Sequence, residues 1–396
     1  MNSLYQYTIS ASLKWFRMQN RISLREAAEG SGMSLQYIGE IERGDKSISE
    51  SSAMKLFSFY HLAFSFQEEE AVKYQKKLQD AITAFTYQNY GEMKTICEEA
   101  YNDSTNIDAS FLFRMLLQEA KSLILDENFD CFPSFAKILE PYYQKIDGDL
   151  KTIFLFLKVV YMDHNNDQRV CTIMNEVINS GTHTYEPLLF SYYSSLLAKH
   201  NQIISSLRES DKAIYAAEKA AIFPVVLLMR MNQAILFVHL RQFDDAINEF
   251  NICSKYAVLN KQNDLIWKID QNVGFTYLCA ARFQDAQIYS LKKMKENPQD
   301  FVFYYINAIS KLFLSNETSK SIKAQESEAS ILYNCLLQIL RKNGSLTIIN
   351  QMIKKYHYDY MFRTIILNYA MILAKKRNDF KLAFEYLSKL ENSSGF

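Results

Sequence analysis

The sequence predicts an all-α protein, with a small N-terminal helical domain ahead of a long run of stacked helix pairs. Three observations carry that prediction. Only 10 Gly and 5 Pro are spread over 396 residues, too few turn formers for a many-stranded chain. Apolar residues recur with a helical period in one segment after another. The segments are divided by short polar breaks such as Asn102-Asp103-Ser104, Asp147-Gly148-Asp149, Asn165-Asn166-Asp167 and Glu296-Asn297-Pro298. One pattern also returns at a fixed distance: Phe243 and Ala246 lie 40 residues before Phe283 and Ala286.

Taken in order, Ile9, Leu13 and Phe16 recur at helical spacing and predict a first helix over residues 6–19. Ser23 followed three residues later by Glu26 makes a capping box, so a second helix begins there with Leu24, Ala27 and Ala28 inward. It stops at Gly30-Ser31-Gly32, where a glycine takes the left-handed conformation of a sharp turn. Ser34 caps a third helix with Ile38 and Ile41 buried and Leu35, Gln36, Tyr37 and Glu40 pointing elsewhere. Ser49 and Glu50 open a fourth helix through Ala53, Leu56, Phe57 and Tyr60.

A small contact residue, a glycine in the turn and branched apolar residues beneath the second helix are what a helix-turn-helix requires. The same residues would also suit an ordinary antiparallel helix pair. Ile41-Glu42-Arg43-Gly44 followed by Asp45-Lys46 resembles the end of the recognition helix in phage-repressor-like, or Xre, DNA-binding domains. The resemblance covers about the first 65 residues and implies a structural ion pair between Glu42 and Arg17. It also implies that Leu35, Gln36, Tyr37 and Glu40 face DNA, with Ser23, Ser34 and Lys46 as flanking DNA-side candidates. Residues 1–66 carry seven Lys/Arg against six Asp/Glu, a weak footprint for phosphate neutralisation. A dimer presenting two copies to a two-fold related site would supply the missing affinity.

Composition changes at Phe66-Gln67-Glu68-Glu69-Glu70, which places a domain boundary between residues 1–66 and 67–396. Glu69, Lys73 and Lys77 fall one turn apart on a solvated connecting helix, and no Gly/Ser-rich tether intervenes. Beyond it, Phe243, Phe283 and Phe380 each open a second helix of a pair, and Ala246, Ala286 and Ala383 let the first helix approach. These starts, with Gly274 and Tyr277, resemble tetratricopeptide (TPR) repeats, so residues 67–396 are expected to form a TPR-like α-solenoid. The helices are longer than the roughly 34-residue repeat allows. Asn232 and Asn272, also 40 apart, are expected to stack on the concave face and grip a peptide backbone, with Asn307 and Asn368 as weaker members. Arg230 and Lys268, shortly before them, would take a peptide carboxylate. The alternative is that these asparagines are incidental in an Asn-rich chain, or satisfy neighbouring helix ends.

This domain order and the asparagine ladder resemble the peptide-pheromone receptors of Gram-positive bacteria, the Rap, Rgg, NprR, PlcR and PrgX family. The resemblance implies a cytoplasmic homodimer that binds a short signalling peptide and changes its grip on double-stranded DNA at a promoter. The alternative is a TPR scaffold that sequesters a partner protein such as a response regulator.

The remaining composition narrows the field. Basic and acidic residues balance at 44 each, and there is no polybasic or acidic tail. Six cysteines without CxxC spacing and no signal peptide suit a reduced, cytosolic protein. The longest apolar run, Ala220 to Met229, is broken by Pro224 and too short to span a membrane. No phosphate-loop, dinucleotide, zinc-protease or serine-hydrolase motif occurs, so no enzyme, cofactor or metal is expected. Among the six histidines only His164 has carboxylates nearby, in what reads as a solvated connection.

Overall fold

The computed structural model describes residues 3–62, 68–102, 110–143, 148–180, 183–315, 327–341, 346–355 and 360–392. The expected boundary after residue 66, the breaks at Asp103-Ser104 and Asp147, and His357 lie outside them. Among the described residues every regular element is a helix. The first seven are α1 (Ser3–Gln19), α2 (Leu24–Ser31), α3 (Leu35–Glu42), α4 (Glu50–Phe59), α5 (Glu68–Thr86), α6 (Tyr90–Asn102) and α7 (Phe111–Ala120), the last running on as a π-helical turn over Lys121–Leu125. Then come α8 (Phe132–Tyr143), α9 (Asp149–His164), α10 (Val170–Ser180), α11 (Glu186–Lys199) and α12 (Ile203–Lys219). The chain continues as α13 (Phe223–His239), α14 (Phe243–Leu259), α15 (Asn263–Cys279), α16 (Phe283–Glu296) and α17 (Phe301–Ser315). It closes with α18 (Glu328–Arg341), α19 (Leu346–Lys355), α20 (Tyr360–Lys376) and α21 (Phe380–Asn392).

Packing divides the chain into two compact units, Met1–Leu196 with Lys212–Val225, and Leu197–Asp211 with Val226–Phe396. In the first, α1 is the shared element. It packs on α3 and α4 and also on α7 and α8, so one apolar core runs from Tyr5 through Leu196. Being covered on several sides, α1 buries Thr8, Ser10 and Ser12 as well as Ile9 and Leu13. Their hydroxyls are satisfied locally: Thr8 Oγ1 donates to the Tyr5 carbonyl at 2.9 Å and Ser12 Oγ to that of Ile9 at 2.7 Å. Small side chains let neighbours approach without leaving a donor unpaired. Lys73 pairs with Glu70 within α5 at 3.5 Å, in place of the expected Glu69, and Lys77 reaches Glu99 of α6 at 3.2 Å, tying α5 to its neighbour.

Helices of 17 residues run through α12, α13, α14 and α15, each followed by a three-residue turn. The turn residues Asn201, Ala221, Arg241, Lys261 and Ala281 fall 20 apart, all with φ between 56° and 61°. Each turn closes in the same way, for example with the Gln242 amide donating to the Phe237 carbonyl at 2.9 Å and that of Arg282 to Tyr277 at 2.9 Å. Two helices and two turns account for the 40-residue sequence period. The aromatic of each repeat is the first residue of its helix, at Phe243, Phe283 and Phe380. Ala246, Ala286 and Ala383 are buried beneath. A Cβ at Gly274 would lie 2.8 Å from Ile306 Cδ1, so this small residue sets the approach of α15 to α17.

Candidate nucleic-acid interface

The site begins with the caps of α2 and α3. Ser23 sits at φ −73°, ψ 158°, accepts from the Glu26 amide at 3.1 Å, and its own amide donates to Glu26 Oε2 at 2.7 Å. Gly32 turns the chain at φ 65°. Ser34 caps α3 by accepting from the Tyr37 amide at 3.1 Å. Ala27, Ala28, Ile38 and Ile41 are buried beneath the two helices. Arg17 and Glu42 form a two-pronged pair at 2.6 and 2.7 Å, and Arg17 also donates to the Ile22 carbonyl at 2.7 Å. The Glu42 carboxylate raises the Arg17 pKa, which keeps that charge fixed beneath the motif.

On the outer side of α3, Leu35 is 48% exposed and Gln36 is exposed beside it. Gln36 Nε2 donates to Glu40 Oε1 at 2.9 Å, and Glu40 Oε2 meets Lys46 Nζ at 2.6 Å. Lys46 and Gln36 hold the Glu40 carboxyl below its ordinary range, and Glu40 in turn raises Lys46. Tyr37 is half-buried, its hydroxyl 3.2 Å from Ser52 Oγ of α4. Chemically, a carboxamide near a helix start suits an adenine edge, a carboxylate a cytosine amine, and the ammonium a phosphate.

Three contacts here have no local sequence signal. A Cβ at Gly30 would fall 2.0 Å from the Phe59 ring, so Gly30 marks a close helix approach as well as a turn. Lys14 Nζ donates to the Glu42 carbonyl at 3.1 Å. Tyr142 of α8 donates to the Ile41 carbonyl at 3.2 Å, across 101 residues, and its ring lies against Gly44. The end of α3 is thereby capped by α8.

The expected peptide ladder divides. Asn232 and Asn272 each lie nine residues past a helix start, at Phe223 and Asn263. Both are partly exposed, and neither carboxamide bonds to another described residue. Lys268 is exposed one turn before Asn272. Arg230 does not accompany Asn232: two residues on a helix is a rotation of about 200°, and Arg230 instead binds Glu249 at 2.6 Å and lies over Tyr256. Asn307 is buried, its Nδ2 3.4 Å from Ser290 Oγ, and Asn368 is buried with Nδ2 donating to the Cys279 carbonyl at 3.0 Å. Both lie within the packing, and Asn368 satisfies a helix end. Among the described residues no His/Cys/Asp/Glu group suits a metal ion, and no helix is long and apolar enough to cross a membrane.

Residues 13–66 match the helix-turn-helix family. No curated protein matches the chain by sequence. Among solved structures, a Rap protein complexed with Competence and Sporulation Factor superposes with a TM-score of 0.58 at 12% identity, over 83% of this chain and 98% of that one. At that identity the likeness is one of fold. Looser likenesses join ComR from S. thermophilus (TM-score 0.43, 16% identity, 67% of this chain and 97% of that one). They also join PlcR of Bacillus thuringiensis in complex with a peptide and DNA (0.41, 11%, 66% and 98%).

Proposed function

We propose that this chain, with a helix-turn-helix at residues 13–66 and the helical-repeat fold of a Rap protein, is a DNA-binding transcription regulator gated by a short signalling peptide. The observation that carries the reading is α3: capped at Ser34, seated on Ile38 and Ile41, and open along Leu35, Gln36 and Glu40. In this reading residues 1–66 contact double-stranded DNA and residues 67–396 form a TPR-like body that binds the peptide and dimerises. The protein acts in the cytoplasm as a homodimer on a two-fold related operator. Asn232, Asn272 and Lys268 hold the peptide, being the ladder members with exposed polar groups.

The test is fluorescence anisotropy of the full-length protein on its own upstream DNA and on scrambled DNA of equal length, across a salt series. Tight, sequence-dependent binding supports the reading, and the same assay then screens peptides encoded beside the gene. Weak binding, equal for both DNAs and erased by modest salt, would overturn it. Asn272→Ala is expected to abolish the response to an active peptide and leave DNA affinity intact; a full response in the variant discards the ladder.

The small net charge of the head favours a second reading, a scaffold that sequesters a partner protein such as a response regulator. Recovery of a stoichiometric protein partner without DNA binding would favour it.

A further inference from the structure

The first unit contains a polar cavity of about 520 Å³ that the reader does not use. It opens where α7 gives way to the π turn. There the Asp126 amide donates to the Lys121 carbonyl five residues back, at 3.1 Å, and such wide turns recur at functional sites. Glu119, at the end of α7, lines the cavity at 2% exposure, and its Oε2 is buried with no hydrogen bond from any described residue. Burial alone pushes its carboxyl up to about 7. Glu98 and Asp126 add two further carboxylates to the wall. The one cation lining it, Lys121, is committed to Asp126 at 2.7 Å. A buried carboxylate without a partner is costly unless an incoming donor satisfies it.

We propose that this cavity binds a small organic cation, a primary ammonium or guanidinium, with Glu119 as its buried counter-ion. The cavity is in the size range of small-molecule sites. A cation bearing several N–H donors answers the open acceptor at Glu119, the described wall carboxylate not already paired with a lysine. The inference is independent of the DNA and peptide reading.

Cys131 supplies a local reporter. It is exposed and lines the same cavity, whereas Cys97 nearby is buried with its thiol pushed up to about 12. The experiment is alkylation of the full-length protein by iodoacetamide, with the rate at Cys131 followed by peptide mass spectrometry. Agmatine is titrated against N-butylacetamide, a neutral control, at constant ionic strength. The expected result is saturable protection of Cys131 by agmatine alone, with the half-protecting concentration raised at least tenfold in Glu119→Gln. Glu119→Gln removes a desolvated charge, so it is expected to fold, and a circular dichroism melt checks this. An unchanged Cys131 rate at millimolar agmatine would overturn the proposal in the wild-type protein alone. Equal protection in Glu119→Gln would overturn the role of Glu119.

Discussion

Gln36 lies on the open side of α3 and spends one donor on Glu40, so the two side chains hold each other in place. If Gln36 makes a bidentate contact to adenine, Gln36→Ala weakens specific binding by about 1–3 kcal/mol and leaves binding to scrambled DNA unchanged, as read by anisotropy. The Arg17–Glu42 pair acts on the fold instead. Both side chains are largely buried, and Arg17→Ala strands the carboxylate, so the loss expected is about 3 kcal/mol in urea unfolding. A double variant, Arg17→Met with Glu42→Leu, should recover much of it; no recovery would mean that the pair's geometry matters more than its charge. The Arg17–Glu42 pair was implied by the resemblance to phage-repressor-like domains, and the caps and the turn were legible because they fall within one short stretch of chain. The contacts from Lys14, Phe59 and Tyr142 were not, since each depends on how distant helices meet. The asparagines make the same point. A shared 40-residue spacing put Asn232 and Asn272 at equivalent positions, whereas Asn307 and Asn368 answer to the packing of α16 and the end of α15.

Between α11 and α16 the chain repeats one turn, and it does so with residues other than glycine. A side chain in the left-handed region costs roughly 1 kcal/mol, and alanine has no polar group to offset it. Ala281→Gly is therefore expected to stabilise the protein by about 0.5–1 kcal/mol, seen as a higher denaturant midpoint with an unchanged slope. A loss of stability would mean that the Ala281 methyl makes a contact worth more than the strain. The aromatic and alanine of each repeat were readable because they recur in register. The turns were not, because Asn, Ala, Arg, Lys and Ala share no side-chain property, only a backbone conformation. That is also why a 40-residue period was visible while its 20-residue half was hidden.

Across the whole molecule, the two units carry buried titrating groups of opposite effect. In the first, Glu119 has a raised pKa, so the folded state binds the proton more tightly and stability falls as pH rises from 4.5 to about 7. In the second, burial lowers the His239 pKa to about 4, with Arg363 adding to the effect, and the ring stacks 4.1 Å from Tyr360. Its folded form must be neutral, so stability is present above 6.5 and is lost as pH falls toward 4. Each is worth up to roughly 3 kcal/mol. Calorimetry should show the first unit's transition moving up and the second's moving down on acidification from 7 to 5. Glu119→Gln and His239→Phe should each cancel one movement, and parallel shifts in both variants would refute the assignment. A different consequence follows from α1. Its first ten residues precede the part that matches the helix-turn-helix family, yet they bury Tyr5, Thr8, Ile9 and Ser12, and its far side carries Trp15 against Phe111 of α7. Anyone building chimaeras by transplanting the head alone would carry a wet, sticky helix into the new host. The graft that keeps its core covered is the first compact unit, because the apolar core begun by α1 runs on through α8 and α9 to Leu196.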